Sequence, residues 1–218
     1  MRGEMIVDAV RIADGADMLE GDLHIPEDAA GLVIFAHGSG SSRFSSRNRR
    51  VAESLHRGQF ATLLLDLLTP EEEAVGVHTS QYRFDISRLA RRVVAATDWA
   101  NEHPELGELP LGLFGASTGA AAALIAAAER PEIAAVVSRG GRSDLAGDAL
   151  GVVRAPTLLI VGGDDDQVIN LNEAAMRRMR APVELAIVPH ATHLFEEPGT
   201  LEEVERLALD WFKRHLTR

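Results

Sequence analysis

Six short apolar runs set the limits on how this chain can fold. They occupy residues 31–36, 60–65, 109–114, 133–137, 157–161 and 183–188, and Val, Leu, Ile, Phe and Ala dominate them. Strict alternation with polar residues would mark strands with one wet face. Near-continuous runs mark strands covered on both faces, as in a parallel sheet. Helical stretches separate them, at 48–59, 84–103, 118–130 and 171–179, and a last one at 201–216 closes the chain. Strands alternating with helices predict a mostly parallel sheet with helices on both faces. Residues 5–12 and 18–25 do alternate, around Asp14-Gly15, and predict an antiparallel hairpin at one edge. Segment 69–83 holds Pro70, three glutamates and Gly76 without periodicity. It reads as a surface loop with at most a helical turn. His78, Tyr82 and Phe84 place it to cover a site and set substrate preference, unless it is a plain surface excursion.

In such sheets chemistry gathers at the carboxyl ends of the strands. One post-strand loop is Gly115-Ala116-Ser117-Thr118-Gly119, between the run 109–114 and an Ala-rich helix. G-x-S-x-G on a strand-to-helix turn is the nucleophile elbow. The strained turn lifts a serine hydroxyl above the sheet, and the glycines let neighbouring backbones pass close. Later post-strand loops carry Asp164-Asp165-Asp166 and then His190 and His193. A serine hydroxyl needs an imidazole to take its proton and a carboxylate to hold that imidazole in one tautomer. The order Ser, Asp, His is that of an α/β-hydrolase triad. Two histidines three apart also suit a metal pair. No third ligand at helical spacing accompanies them, and Ser117 would be left without a role.

Composition narrows the function classes. The 218 residues include no cysteine, which removes disulfides, thiolate metal sites and a cysteine nucleophile. The net charge of -11 opposes nucleic acid or an anionic membrane as partner. Charges in residues 1–8 stand where a signal peptide needs an apolar run, and no stretch is long and apolar enough to span a bilayer. The expectation is a single domain over 1–218, cytoplasmic, monomeric or homodimeric, with a small-molecule partner and no cofactor.

The chain resembles a small α/β-hydrolase of the dienelactone-hydrolase-like group, without a large cap. The resemblance rests on His37-Gly38-Ser39-Gly40, Gly115–Gly119, Gly162-Gly163-Asp164-Asp165-Asp166-Gln167-Val168 and Ala191-Thr192-His193-Leu194-Phe195-Glu196-Glu197-Pro198. Dienelactone hydrolases proper use a cysteine, so their lactone specificity does not carry over to a serine. The resemblance implies Ser117 as nucleophile and His193, before Leu-Phe, as base. It implies Asp165, three residues before Val168, as the acid, with Asp166 second choice. Asp164 and Asp166 are otherwise bystanders or caps of a helix starting near Asn170. The oxyanion hole takes the Thr118 amide and, by resemblance, the Ser39 amide. His37 and Gly38 brace that loop and border the substrate. The activity implied is hydrolysis of small carboxylic esters, thioesters or lactones. Alternatives are a binding protein that lost turnover, or an acyltransferase or peptidase with the same triad.

The arginines are less determined. Arg139 and Arg142 lie on the loop after run 133–137, where a guanidinium suits a substrate carboxylate. Ion pairs with Asp144 or Glu197 are the plainer reading. Arg43, Arg47, Arg49 and Arg50 form a basic cluster at a helix start, either attracting anionic substrates or simply solvated.

Overall fold

A computed structural model describes residues 5–79 and 82–217, and of 76–79 the backbone alone. Residues 1–4, part of the reading against a signal peptide, lie outside the described ones, as do residues 80–81 and the side chain of His78. The predicted hairpin is β1 (Met5–Asp14) and β2 (Asp17–Pro26), antiparallel, with Gly15 at φ 62° in its turn. The apolar runs become β3 (Leu32–Ala36), β4 (Ala61–Leu65), β5 (Leu111–Ala116), β6 (Ala135–Arg139), β7 (Thr157–Gly162) and β8 (Val183–Val188). All residues of β3 to β7 are buried, as runs without a polar face require. The eight strands run in the order β1-β2-β4-β3-β5-β6-β7-β8. From β4 to β8 every pairing is parallel, and β2 joins β4 antiparallel.

Helices cover both faces. On one face α1 (Ser46–Arg57) and α6 (Thr200–Leu216) bury Val51, Leu55, Val204, Trp211 and Phe212 against Val33, Phe35, Phe114 and Val137. On the other, α3 (Ile86–Glu102) and α4 (Thr118–Glu129) bury Leu89, Val93, Ala122 and Leu124 against Ile34, Leu63 and Leu113. Nine of α4's residues are buried, so the helix is apolar nearly all round and its alanines let it sit close to the sheet. Helix α5 is Asp166–Met176, preceded by a 3-10 segment over Ser143–Gly151. It starts at Asp166, not near Asn170. No helix among the described residues is long and apolar enough to cross a membrane.

Segment 69–83 departs from expectation. Pro70–Thr79 is a ten-residue helix, α2, not a loop. Its start is a capping box. The Thr69 amide donates to Glu72 Oε2 at 2.9 Å, and the Glu72 amide donates to Thr69 Oγ1 at 3.3 Å. Pro70 follows at the first helical position, where its missing N–H costs no bond. Glu72 then pairs with Arg88 and Arg92 of α3, and Arg83 with Glu73. Helix formation here follows from capping and long-range ion pairs rather than from an apolar stripe.

Candidate active site

The sheet order places the site. β3 lies between β4 and β5, so the chain leaves β3 in one direction and later crosses back to the other. The crevice at such a switch point, at the carboxyl ends of the strands, is where open α/β sheets bind ligands. The loop 37–42 follows β3 there, and Ser117 follows β5.

Ser117 has φ 50° and ψ -122°, a backbone state that a non-glycine residue holds only under constraint. The constraint is visible at both flanking glycines. A Cβ on Gly115 would lie 2.7 Å from the Ala120 amide nitrogen, and one on Gly119 would lie 2.5 Å from His37 O. Gly38 closes the crevice from the other side, where a Cβ would stand 3.0 Å from Ser117 Cβ and 3.2 Å from Ala116 O. The Ser117 amide donates to Arg139 O at 3.2 Å, and its carbonyl accepts from the Arg142 amide at 3.0 Å. The loop after β6 thus pins the elbow.

His193 and Asp165 meet across the ends of β7 and β8. His193 Nδ1 and Asp165 Oδ2 are 2.7 Å apart. A carboxylate accepts, so the bond places a proton on Nδ1, and in the neutral ring Nε2 is then the nitrogen with the lone pair. Asp165 occupies the cap position of α5 yet makes no cap bond, because its carboxylate goes to His193. Asp164 and Asp166 are exposed. Gly140, one residue beyond the carbonyl that holds Ser117, approaches the same imidazole, where a Cβ would lie 3.5 Å from Nδ1. The Ser117 elbow and the His193 imidazole therefore border one short stretch, residues 139–140. Among the described residues no hydrogen bond engages Ser117 Oγ, and such contacts often tighten only when substrate arrives. His190 is exposed, at φ 61°.

Thr118 and Ser39 are joined to each other. The Ser39 amide donates to Thr118 Oγ1 at 2.9 Å. This bond ties the loop after β3 to the start of α4. His37 is buried beneath it, with Nδ1 donating to Gly38 O at 2.8 Å and Nε2 accepting from the Leu67 amide at 2.9 Å. Both nitrogens are used in the neutral ring, and burial holds its pKa below the ordinary value. Tyr82 is half-buried at the turn before α3, with the Arg88 guanidinium 4.8 Å from its ring centroid. No hydrogen bond links Tyr82 to Ser117, Asp165 or His193 among the described residues.

The arginines separate into two groups. Arg142 forks onto Asp144 at 2.8 and 2.9 Å, the ion pair expected of it. Arg43 binds Glu20, Asp22 and Asp66; Arg49 binds Asp22; Arg50 binds Glu202 and Glu205. The basic cluster is thus largely ion-paired rather than solvated. Arg139 differs: it is 6% exposed, and no carboxylate pairs with it among the described residues. Sequence reasoning missed Arg92 altogether, a fully buried guanidinium in the middle of α3. Its one available signal was an arginine directly beside the apolar face of that helix.

A parallel-rich sheet with an elbow serine and a paired His–Asp after later strands defines an α/β-hydrolase. The chain belongs to the dienelactone hydrolase family, whose model matches residues 19–216. It is 55% identical to a dienelactone hydrolase from Anabaena variabilis of known crystal structure. That superposition covers 97% of this chain and 99% of the other, with a TM-score of 0.95. Est1E from Butyrivibrio proteoclasticus shares the fold at 18% identity, covering 94% of this chain and 98% of the other, with a TM-score of 0.78. A putative phosphoribosyl transferase of Mycobacterium tuberculosis is 56% identical over 208 residues, which are 95% of this chain and 46% of that one. The chain thus spans about half the length of that curated relative.

Proposed function

We propose that the protein hydrolyses small carboxylic esters, thioesters or lactones through a Ser117–His193–Asp165 triad. The observation that carries this reading is the His193–Asp165 hydrogen bond of 2.7 Å on loops at the sheet edge where Ser117 sits in its strained turn. Ser117 Oγ attacks the carbonyl carbon while His193 Nε2 takes its proton. The carbonyl electron pair moves to oxygen, which the Thr118 amide receives at the N-terminus of α4. The Ser39 amide, resting on Thr118 Oγ1, turns to share the oxyanion as it forms. Collapse breaks the ester bond, and the leaving alcohol or thiol takes the proton from His193. Water, deprotonated by the same imidazole, then attacks the acyl-enzyme and frees the acid and Ser117. The scheme calls for no metal or organic cofactor.

Phosphoribosyl transfer, which the name of the M. tuberculosis relative states for a chain more than twice as long, is not assigned to these residues. Displacement at an anomeric carbon has no use for a serine nucleophile with an acyl oxyanion hole. The test is Ser117→Ala. It should keep the wild-type melting profile and lose turnover of a short-chain p-nitrophenyl ester, while a fluorophosphonate probe labels wild type at Ser117. Unchanged turnover, or labelling at another residue, would refute the triad.

A further inference from the structure

The backbone of residues 139–142 binds three elements at once. The Arg139 carbonyl and the Arg142 amide hold Ser117, at 3.2 and 3.0 Å. The Gly140 amide donates to Ile160 O of β7 at 2.8 Å. The Gly141 carbonyl accepts from Asn172 Nδ2 of α5 at 2.8 Å. A Cβ on Gly141 would collide with Ser138 Oγ and lie 2.5 Å from Ala120 Cβ, so only glycine lets the backbone pass here. One short loop therefore grips the elbow, the strand that precedes Asp165 and the helix that follows it.

The grip on α5 runs through a single side chain. Asn172 is fully buried, and both N–H groups and the carbonyl of its amide are engaged. Nδ2 donates to Gly141 O and to Val168 O, both at 2.8 Å, and Oδ1 accepts from Ser143 Oγ at 2.9 Å. The two backbone carbonyls can only accept, which fixes Nδ2 on their side and turns Oδ1 toward the Ser143 hydroxyl. The Ser143 proton is thus committed, so the 3.4 Å contact between Ser138 Oγ and Ser143 Oγ runs from Ser138 to Ser143. Ser138 stands opposite Gly115 in the sheet. Val168 lies in the first turn of α5, three residues after Asp165. A row of hydrogen bonds therefore leads from the strand beside the elbow, through Ser143 and Asn172, to the helix turn that opens at Asp165.

We propose that Asn172 is a positioning residue: its amide sets the separation between Ser117 and the Asp165–His193 pair by fastening the loop that holds the one to the helix that carries the other. Its hydrogen bonds go to Gly141, Val168 and Ser143, and none among the described residues goes to Ser117, Asp165 or His193. It acts on the reaction only through the parts it holds. An apolar side chain of similar size leaves the Gly141 carbonyl and the Ser143 hydroxyl without this partner in a buried place. The loop then shifts to find others and carries Ser117 with it, and a displacement of about 1 Å costs as much as 10²-fold in rate. The role rests on the triad reading above.

The experiment compares wild type with Asn172→Leu, Ser143→Ala, Leu106→Ala and Ser117→Ala on a short-chain p-nitrophenyl ester, at a temperature where thermal melts show each one folded. Leu106 is buried in the turn before β5, at the far end of that strand from the elbow, so Leu106→Ala weakens the core without reaching the loop. Asn172→Leu should lower kcat about 10- to 100-fold and leave KM within about twofold. Ser143→Ala removes one of the three bonds and should lower kcat several-fold with the same split. Leu106→Ala should keep the wild-type kcat, which separates positioning from lost stability. Amide exchange in Asn172→Leu should quicken over residues 139–145 and 162–169 and stay at the wild-type rate in α6. If Asn172→Leu does not fold, Ser143→Ala decides by the same two readouts. An unchanged kcat beside an inactive Ser117→Ala, or an equal fall in Leu106→Ala, overturns the role. A fully active Ser117→Ala refutes the triad, and the catalytic consequence falls with it. Amide exchange then judges the tie between loop and helix alone: unchanged protection of residues 139–145 in Asn172→Leu overturns that too.

Discussion

Asp165 Oδ2 accepts a hydrogen bond from His193 Nδ1 at 2.7 Å, although the residue stands where a helix cap would ordinarily serve α5. The carboxylate has been diverted from a local backbone bond to a partner 28 residues away. Asp165→Asn keeps the size of the side chain and offers the imidazole an N–H as readily as a carbonyl, which favours the wrong tautomer. Its kcat on a short-chain ester should fall about 10³- to 10⁴-fold with little change in melting temperature. Asp166→Asn, one residue on and exposed, should stay within a few-fold of wild type. A large loss in Asp166→Asn with Asp165→Asn active would reverse the assignment.

Gly119 makes the elbow possible by having no side chain. The space where a Cβ would go is filled by the carbonyl oxygens of Ala36 and His37, both backbone. Backbone in the middle of a sheet cannot step aside as a flexible side chain can. Gly119→Ala should lose about 3 kcal/mol or more of stability in a urea titration, or fail to accumulate as soluble protein. Gly151→Ala is the control, since the nearest atom to a Cβ there is Arg178 O at 3.7 Å. Equal stability of the two variants would mean that the elbow can open.

Much of this arrangement is legible in the sequence, and what is not has physical causes. The strands are legible because continuous apolar runs have few other uses in a chain this short. Ser117 and His193 are legible because each follows such a run. Among the three adjacent aspartates, periodicity offers no choice, and resemblance pointed to Asp165. Helix α2 was missed because Glu71, Glu72 and Glu73 carry no apolar stripe. The Thr69–Glu72 capping box was nevertheless present as T-x-x-E. The burial of Arg92 and Arg139 is not written locally. It arises where α3 meets the hairpin and α2, and where β6 ends beneath α1, contacts 20 to 91 residues distant in sequence.

Arg92 is the tie that holds these distant parts. It is fully buried. It donates to Leu67 O at 2.7 Å, to Asp17 at 2.8 Å, to Asp14 at 3.3 Å and to Glu72 at 2.5 and 2.9 Å. One side chain thus fastens α3 to the hairpin, to the end of β4 and to α2. Arg92→Met keeps the aliphatic stem but leaves Asp14 and Glu72 without their central cation. It should cost about 3–5 kcal/mol in a urea titration. Helix α2 should show faster amide exchange than the sheet. A loss below about 1 kcal/mol would mean that Arg88 and Arg91 hold the carboxylates unaided.

His24 and His56 make the fold sensitive to acid at a place away from Ser117 and His193. Their ring centroids are 5.0 Å apart, and His56 Nε2 lies 2.6 Å from the hydroxyl of buried Thr62. Burial, then repulsion from His24 and Arg57, lowers the pKa of His56 from 6.5 to about 4. Burial also lowers that of His24. In the unfolded chain both imidazoles take a proton near their ordinary value. Between about pH 6.5 and pH 4, then, the unfolded state binds protons that the folded state refuses. Stability should be level above neutrality and fall as the pH drops through that window. His56→Gln removes one of the titrating groups, so its melting temperature should fall less than that of wild type between pH 7.5 and pH 5. His24 and the buried His37 still titrate, so a part of the slope should remain. The measurement is a pair of melting series at the two pH values in one buffer system at fixed ionic strength. If wild type and His56→Gln lose the same number of degrees, His56 contributes none of the acid sensitivity, which then belongs to the other titrating groups.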